Sequence, residues 1–427
     1  MNSKHQLIEK SGQALFVLFI VVMILRINTY FMVSENPTIT RIFKTGLRVA
    51  LTGTSFLMLR SITRNGVNTR FEWKNILAFL IYILYLFVGF ASLLWSSDPG
   101  WSGLQIAMDV ECVFFVLYYW KALIAFNEQK HLRKKIPFDY ILWVSIAWVT
   151  ISFLIGAIAV PDTFFRGTHG GEVQRLGGWV INPNELGMLC VIGAGGMYVN
   201  IMRDGLSFWK GLSWILILLA LVLTQSRSSL ISFFLTTLYF VFISGKAKLI
   251  VPTIVIGAVA APIVFMTIFV KDGDVGEVMS MTGRLPFWDD LLTYGFTDRP
   301  LYGFGFMRIH YNTNFPSIHA FPGAMTHNTF MQLLLNLGMI GAVVCGSQML
   351  FTFRGFMRES DPFLRNIFMG MIFGILINSF TEFGIFGDAN YGIMFWLFLV
   401  MMFVLKAHQR PFFQQKQGIY EASFARQ

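Results

Sequence analysis

Charge is scarce in this sequence. Asp, Glu, Lys and Arg together make up 13% of its 427 residues, whereas roughly 25% is usual for a globular chain. Hydrophobic residues make up 55%, and 45 of the residues are Phe. A chain of this composition cannot bury its apolar surface in a water-soluble core, so part of its solvent must be lipid. The composition excludes an ordinary soluble domain and predicts a polytopic membrane protein.

Cysteine is scarce as well, and Cys112, Cys190 and Cys345 all lie in apolar runs. A disulfide or zinc framework needs clustered cysteines in loops, so these three are expected to be packing residues inside helices. The sequence also lacks a Gly-x-Ser-x-Gly elbow, a Walker loop and a Rossmann fingerprint in a suitable setting. Chemistry driven by ATP or another nucleotide is therefore unsupported, and we expect no cofactor.

Long apolar runs are what the sequence has instead. A helix needs about 20 apolar residues to cross the hydrocarbon core, and the runs between polar breaks predict about twelve transmembrane helices in an all-α fold. The predicted spans lie at residues 12–34, 44–62, 76–95, 104–125, 139–160, 184–202, 208–224, 228–244, 249–270, 328–353, 364–382 and 391–406.

The distribution of Lys and Arg predicts the orientation, because positive residues are retained on the cytoplasmic side. With both termini inside, most of the 33 Lys and Arg residues fall on that side, including the run KHLRKK at residues 130–135. The net charge of +10 is thus mainly an orientation signal and not a sign of nucleic-acid binding. The predicted regions are residues 1–270 with nine spans, a large periplasmic loop with short helices at 271–327, three spans at 328–406 and a cytoplasmic tail at 407–427.

Several arginines fall on the predicted outer face, against the general bias: Arg166, Arg175, Arg227, Arg284, Arg299 and Arg308. Guanidinium groups suit phosphate oxygens, so an anionic ligand is one explanation, and lipid-headgroup contact or ordinary solvation is the other. Arg227 differs because apolar runs flank it on both sides. A charge near membrane depth costs about 2.5–3.5 kcal/mol and indicates function. The start of the following helix would favour an anion there.

The large outer loop contains three further signals. GRLPFWDD at residues 283–290 predicts an amphipathic helix with Phe287, Leu291 and Leu292 on one face, and the glycines of RPLYGFGF at 299–306 would permit close backbone approach to a ligand. The histidines His310, His319 and His327 match no zinc signature. Asp272 and Asp274 form an Asp-x-Asp pair of the kind that can hold a divalent metal beside a diphosphate, but such pairs are usually solvated. We therefore predict no metal site.

Five segments in order give the sequence a recognisable pattern. They are NPNELG at residues 182–187, TQSRSSL at 224–230, GRLPFW at 283–288, RPLYGFGF at 299–306 and THNTFMQLLLNLGMIG at 326–341. With the largest outer loop between the ninth and tenth spans, this set resembles the bacterial O-antigen ligase and polymerase family. These are inner-membrane proteins that move glycans from a polyprenyl-diphosphate carrier to an acceptor. The resemblance covers roughly residues 180–345, and the N-terminal half matches only in hydropathy.

The resemblance implies a metal-independent, inverting glycosyl transfer at the periplasmic surface, in a fold similar to other lipid-carrier glycosyltransferases (GT-C-like). It makes Arg227 and Arg284 the ligands of the carrier diphosphate and His327 the residue that activates the acceptor hydroxyl. These roles fit the chemistry, because arginines can neutralise a diphosphate leaving group and a neutral imidazole can accept a proton.

Further polar residues are candidates for the same site. Arg175, Arg299 and Arg308 are candidates for diphosphate or sugar contact. Asn182, Asn184, Glu382 and Asp388 are candidates for hydrogen bonds to sugar hydroxyls, with helix capping and loop solvation as the alternative for each.

The expected partners are an undecaprenyl-diphosphate-linked glycan donor, a glycan or lipid-anchored acceptor, the bilayer, and flippase and chain-length regulator proteins. A polymerase of repeat units is slightly favoured over a ligase that uses a lipid A-core acceptor, because the outer loop is compact. A transporter or flippase of lipid-linked glycans is the alternative from a different class. It would need polar residues through the midplane, where only Arg26, Asp109 and Glu111 are plausibly placed.

Overall fold

Long apolar helices make up most of the chain in a computed structural model. The structure describes residues 2–64, 70–129, 135–168, 173–245, 284–306, 326–382, 384–388 and 390–407. In these residues the helices are α1 (Asn2–Asn28), α2 (Pro37–Arg64), α3 (Leu77–Ala91), α4 (Pro99–Asn127), α5 (Phe138–Ala159), α6 (Pro161–Phe164), α7 (Pro183–Asp204), α8 (Phe208–Leu223), α9 (Arg227–Ile243), α10 (Arg284–Asp290), α11 (Thr329–Met357), α12 (Pro362–Thr381) and α13 (Tyr391–Val404). The strands are β1 (Phe71–Trp73), β2 (Phe165–Thr168), β3 (Val173–Leu176) and β4 (Leu405–Ala407).

This architecture is that of a mostly helical, polytopic membrane protein. Within the described residues, five helices are long and apolar enough to cross a membrane: α3 with its following turn, α5, α7, α11 and α12. Each predicted span contains a helix, except residues 249–270, which lie outside the described residues. Part of α1, together with α8, α9 and α13, is apolar but shorter. The count of about twelve transmembrane helices therefore stays a prediction.

Helix α7 lies at the centre of the bundle and contacts α5, α8, α9 and α12. Its glycines permit this crowding: a Cβ atom at Gly195 would lie 1.9 Å from the carbonyl oxygen of Gly370 in α12. Small residues allow helix backbones to approach closely in a membrane. The close crossing packs α7 against α12. The start of α7 also lies beside the end of α12, where Asn184 donates a hydrogen bond to Glu382.

A buried ion pair joins α1 to α4. The Arg26 guanidinium donates to both carboxylate oxygens of Glu111 at 2.7 Å, and Thr52 of α2 also donates to Glu111. The Arg26 side chain is fully buried and its guanidinium lies 4.4 Å from the Phe115 ring centroid. A buried charge is tolerated only when it is paired and hydrogen-bonded. Of the three charged residues that the sequence places inside spans, Arg26 and Glu111 thus satisfy one another, whereas the Asp109 carboxylate is buried with no hydrogen-bond partner among the described residues.

Helix α11 is kinked at Gly338, which has φ +61° and ψ −156°. The kink leaves two carbonyl groups without helical partners, and residues 300–305 bond there. Phe304 N donates to Leu335 O and Gly305 N donates to Asn336 O, both at 2.8 Å, while Met339 N donates to Pro300 O at 2.8 Å. A Cβ at Gly303 would lie 2.4 Å from Leu335 O. The glycines of RPLYGFGF therefore permit close approach to the backbone of α11, in place of the predicted approach to a ligand.

The short helix α10 lies against the first half of α11, and Phe287, Trp288 and Leu291 bury their side chains together with Phe304 and Leu335. The amphipathic helix predicted from GRLPFWDD is present, but its apolar face differs from the prediction. Residues 291–296 form a π-helical turn, whose wider turn rotates Leu292 outward to 39% exposure. Trp288 takes the buried position and donates from Nε1 to Thr326 O at 2.8 Å.

Two small antiparallel sheets lie at opposite ends of the bundle. Strands β1 and β4 pair Phe71 with Ala407, near the ends of α2 and α13. Strands β2 and β3 form a hairpin between α6 and α7 that pairs Phe165 with Leu176 and Arg166 with Arg175. We call the second end, where α7, α9 and α11 begin and α12 terminates, the His327 end.

Candidate active site

Side chains from six elements meet at the His327 end. Strand β3 contributes Arg175, the starts of α7 and α10 contribute Asn184 and Arg284, the residue before the cap of α11 is His327, and the residue after α12 is Glu382. Direct hydrogen bonds join these five side chains into one network centred on Glu382. The sixth element, α9, begins with Arg227.

His327 is held against Glu382, with its Nδ1 atom 2.9 Å from Glu382 Oε2. His327 has φ +50°, a left-handed conformation that is uncommon for residues other than glycine and is enriched at functional sites. Asn328 then caps α11, because its side chain accepts from Phe330 N and Met331 N. The histidine thus stands outside the helix, with its backbone fixed by the cap that follows it.

Glu382 is the centre of the network. Its Oε1 atom accepts from Asn184 Nδ2 at 2.7 Å and from Arg284 Nη2 at 3.3 Å. Arg284 is fixed a second time, since its Nη1 donates to Thr381 O at 2.6 Å. The Glu382 side chain is only 3% exposed, whereas His327 is 21% and Arg284 18% exposed. The carboxylate is therefore enclosed, while the side chains of His327 and Arg284 reach the surface.

The surroundings keep Glu382 ionised. Burial alone would raise the pKa of this carboxyl, but the charge and hydrogen bond of His327, followed by the charge of Arg284 and the hydrogen bond of Asn184, lower it from 4.5 to about 2. Hydrogen bonds and opposite charges both favour the ionised form of a carboxyl. Glu382 is thus a permanent anion in the physiological range.

Arg175 extends the network toward the turn that carries Arg227. Its Nη2 donates to Asn184 Oδ1 at 2.7 Å and its Nε donates to Thr224 O at 2.9 Å. Burial lowers the pKa of Arg175 to about 10; the charge of Glu382 opposes this, and the charges of Arg227, Arg166 and Arg284 add to it. These four guanidinium groups therefore share one region, which carries a surplus of positive charge over Glu382.

Helix starts add further positive potential. Ser226 caps α9 by accepting from Ser229 N, and the Ser229 hydroxyl donates to Asn184 O at the start of α7. Asn182 caps α7 by accepting from Asn184 N at 2.9 Å. Helices α7, α9 and α11 thus all begin around the network, and the start of a helix carries roughly half a positive charge. Such a convergence of amides and guanidinium groups suits a multiply charged anion.

The remaining predicted site residues lie apart from the network or outside the described residues. Arg299 stacks on Phe304, with its guanidinium 4.9 Å from the ring centroid, and pairs with Asp298 at 3.7 Å. The Asn182 side chain serves as a helix cap, the alternative that the sequence left open. Arg308, His310, His319, Asp272 and Asp274 lie outside the described residues.

Two contributions to the site were not expected from the sequence. From the sequence, Glu382 is a candidate for sugar contact, with helix capping or loop solvation as the alternative; its bonds to His327, Arg284 and Asn184 are an additional finding. The second is the Thr381 carbonyl, which accepts a hydrogen bond from Arg284 and which no sequence pattern indicates. The signal was present in part, because Thr381-Glu382 ends an apolar run of about 20 residues on the same predicted face as His327. The pairing itself is a tertiary contact that no local pattern specifies.

Comparison with known families bears on this geometry. Residues 212–345 match the family model described as O-antigen ligase. The match covers less than half of the chain, and that segment is similar to the O-antigen ligase family. The resemblance drawn from the sequence motifs is thereby confirmed, and four of the five motif segments lie within the matched residues. No curated protein matches the chain.

The matched segment supplies only part of the network. Arg227, Arg284 and His327 lie inside the matched segment, while Arg175, Asn184 and Glu382 lie on either side of it. The family match supports glycosyltransferase activity of the O-antigen ligase/polymerase type in surface polysaccharide assembly, on lipid-linked glycans in a membrane. It agrees with the multi-pass helical architecture.

Proposed function

We propose that this protein is an inverting, metal-independent glycosyltransferase. It would move a glycan from an undecaprenyl-diphosphate carrier to an acceptor sugar hydroxyl at the periplasmic membrane surface. The observation that carries the proposal is the sharing of one buried carboxylate, Glu382, by His327 and Arg284. That sharing places a proton acceptor beside a cation.

The cationic region supports a diphosphate leaving group. When the bond from the anomeric carbon to the carrier breaks, negative charge grows on the bridging oxygen. Arg227, Arg284 and Arg175, with the starts of α7 and α9, are arranged to stabilise it. Preorganised donors of this type are usually the largest single contribution to catalysis, and guanidinium groups bind phosphate oxygens in a bidentate fashion.

His327 is the proposed general base. An ionised Glu382 accepts a hydrogen bond from the N–H group at Nδ1 of His327. The other ring nitrogen, Nε2, is then the one that can take a proton from the acceptor hydroxyl. A carboxylate partner that holds an imidazole in one tautomer and stabilises its protonated form is the arrangement of a catalytic triad. As the proton leaves, the hydroxyl oxygen attacks the anomeric carbon and the carrier diphosphate departs.

A single displacement inverts the anomeric configuration and needs no carboxylate nucleophile. Glu382 is unsuited to be one, because three donors bind its oxygens and its side chain is 3% exposed. The described geometry therefore favours inversion over retention.

The experiment that tests this proposal replaces His327. Purified protein in detergent would receive an undecaprenyl-diphosphate-linked glycan, and transfer would be followed on gels. His327→Ala and His327→Gln should each lower the transfer rate about 10²–10⁴-fold, the usual contribution of a general base. Arg358→Ala, an exposed change at the far end of α11, is the matched control. Transfer by both His327 variants near the wild-type rate would disprove the role.

The acceptor is proposed to be a second carrier-linked repeat, which makes the protein a polymerase, with ligation to lipid A-core as the near alternative. The same assay distinguishes them. Ladder formation with carrier-linked repeats alone indicates a polymerase, and a requirement for lipid A-core indicates a ligase.

The location that fits this function is a bacterial inner membrane, with both termini cytoplasmic and the His327 end in the periplasm. Flippase and chain-length regulator proteins are the proposed partners. Of the three midplane residues named for the transporter alternative, Arg26 and Glu111 satisfy one another within the bundle, and Asp109 is the one that a polar path could still use. Transfer by purified protein in detergent, where there is no interior to transport into, would eliminate a pure flippase.

A further inference from the structure

A second feature of the His327 end is a surface cleft of about 480 Å³ beside the β2–β3 hairpin. Asp162, Phe165, Arg166, Gln174 and Trp179 line it. Pockets that bind small ligands have volumes of roughly 300–1,000 Å³ and combine aromatic walls with a few polar groups. This cleft meets both conditions.

Trp179 is the most unusual wall of the cleft, because 65% of this large residue is exposed. The Arg166 guanidinium lies 5.3 Å from the indole centroid. The backbone beneath the ring is fixed: Trp179 N donates to Thr163 O at 3.2 Å, and Gly177 N donates to Phe164 O at 2.9 Å. A preformed, exposed aromatic surface is a ready place for a ligand, because little ordering entropy remains to be lost on binding.

The composition of the cleft indicates a carbohydrate. A pyranose has an apolar face of C–H groups and a rim of hydroxyls. The face suits an indole, and the rim suits the carboxylate of Asp162, the amide of Gln174 and the guanidinium of Arg166. Both donors and acceptors thus lie around one aromatic plane, and hydroxyls need both.

The position of the cleft connects it to the active site. Arg166 is paired in register with Arg175 across the hairpin, and directly opposed residues have Cβ atoms about 4.5–5.5 Å apart. Arg175 in turn bonds Asn184, which bonds Glu382. A glycan whose reducing-end diphosphate lies among the guanidinium groups therefore has the cleft within reach of its following sugars.

We propose that the cleft walled by Trp179 is a sugar-binding subsite for the glycan chain, with the indole stacking on one pyranose ring. The proposal rests on the function proposed above and names where that substrate extends. A different reading of an exposed indole at this end is a membrane-interface anchor, since Trp is enriched at the boundary between lipid and water. The experiment separates the two.

The probe is the free oligosaccharide released by mild acid from the host's own lipid-linked glycan pool, which lacks the diphosphate. Its binding to full-length protein in nanodiscs would be measured by calorimetry or saturation-transfer NMR. We expect Trp179→Ala to weaken binding about 10-fold or more, because the bound sugar would bury the indole and buried aromatic anchors contribute strongly to binding. Trp179→Phe should retain most of the affinity. Gln174→Ala should weaken binding by a smaller factor.

Trp209→Ala is the matched control, because Trp209 is 71% exposed but lies at the start of α8, away from the His327 end. It should bind the oligosaccharide as the wild type does. The subsite is disproved if Trp179→Ala binds normally, if both tryptophan variants weaken binding equally, or if Trp179→Ala changes only quenching by brominated lipids. Thermal unfolding of each variant checks that it is folded.

This outcome is separable from that of the proposed function. Oligosaccharide binding requires no transfer, so an active His327→Ala variant combined with weak binding by Trp179→Ala would reject the base and keep the subsite. An inactive His327→Ala variant with normal binding by Trp179→Ala would do the reverse.

Discussion

Glu111 and Glu382 each bind a basic side chain, and the surroundings of the two carboxylates differ. Glu111 in α4 binds Arg26 through both oxygens at 2.7 Å, and Arg26 is fully buried. Glu382 is shared by His327, Arg284 and Asn184, and the side chains of His327 and Arg284 are about one fifth exposed. Each carboxylate is satisfied, so satisfaction alone does not identify a site.

The difference lies in charge balance and access. At Glu111 one cation cancels one anion, and the pair faces the interior. At Glu382 the positive charge of the surrounding arginines and helix starts exceeds the single negative charge of the carboxylate. The Arg284 side chain, which carries part of this positive charge, reaches the surface. The closed Arg26–Glu111 pair helps to specify how the helices pack. The open network around Glu382 carries net positive charge and is suited to an anionic substrate.

The largest expected effect that separates the two glutamates is on turnover. Glu382→Gln should lower kcat roughly 10²–10⁴-fold, because an amide can hold His327 in the wrong tautomer and cannot stabilise its protonated form. The measurement is transfer kinetics in detergent as a function of acceptor concentration. As a positioning residue, Glu382 should affect kcat far more than the acceptor KM.

Glu111→Gln is the control for that comparison, and it should retain kcat per folded molecule. Equal losses of kcat in the two variants would mean that Glu382 acts only through the fold. Partial recovery in Glu382→Asp would support positioning, since the shorter carboxylate keeps its charge.

The second expected effect is on stability. Arg26→Met leaves Glu111 buried without its cation and should reduce the free energy of unfolding by about 3–5 kcal/mol. Arg26→Met combined with Glu111→Leu removes both charges and should recover most of that loss. Unfolding midpoints in a denaturing-detergent titration provide the measurement. Wild-type stability of the single variant would show that the pair makes no net contribution.

The smallest expected effect is a pH dependence confined to the Glu382 site. The pKa of Glu382 falls from 4.5 to about 2 on folding, so its ionised form contributes stability that is complete above about pH 5 and is lost as the pH falls toward 2. The difference in thermal midpoint between wild type and Glu382→Gln should therefore shrink as the pH falls from about 5 to about 2. A difference that is constant across this range contradicts the depressed pKa.

Much of the fold was predictable because apolar runs of membrane length leave few alternatives to helices. The site was predictable in part. His327, Arg284 and Arg227 lie in recognisable segments, but the pairing of His327 with Glu382 joins residues 55 positions apart and depends on how α11 and α12 pack. Leu292 was placed on the wrong face because a π-helical turn changes the helical period, and nothing local in the sequence announces that turn.

The kink at Gly338 has a consequence for how this protein can be re-engineered. Residues 300–305 bond the main chain of α11 on both sides of the kink, and the half of α11 before the kink begins beside His327. Residues 300–305 and the start of α11 are therefore one interlocked unit. An exchange of outer-loop sequences between relatives should succeed only when residues 299–306 are exchanged together with residues 326–341, whatever specificity the loop carries.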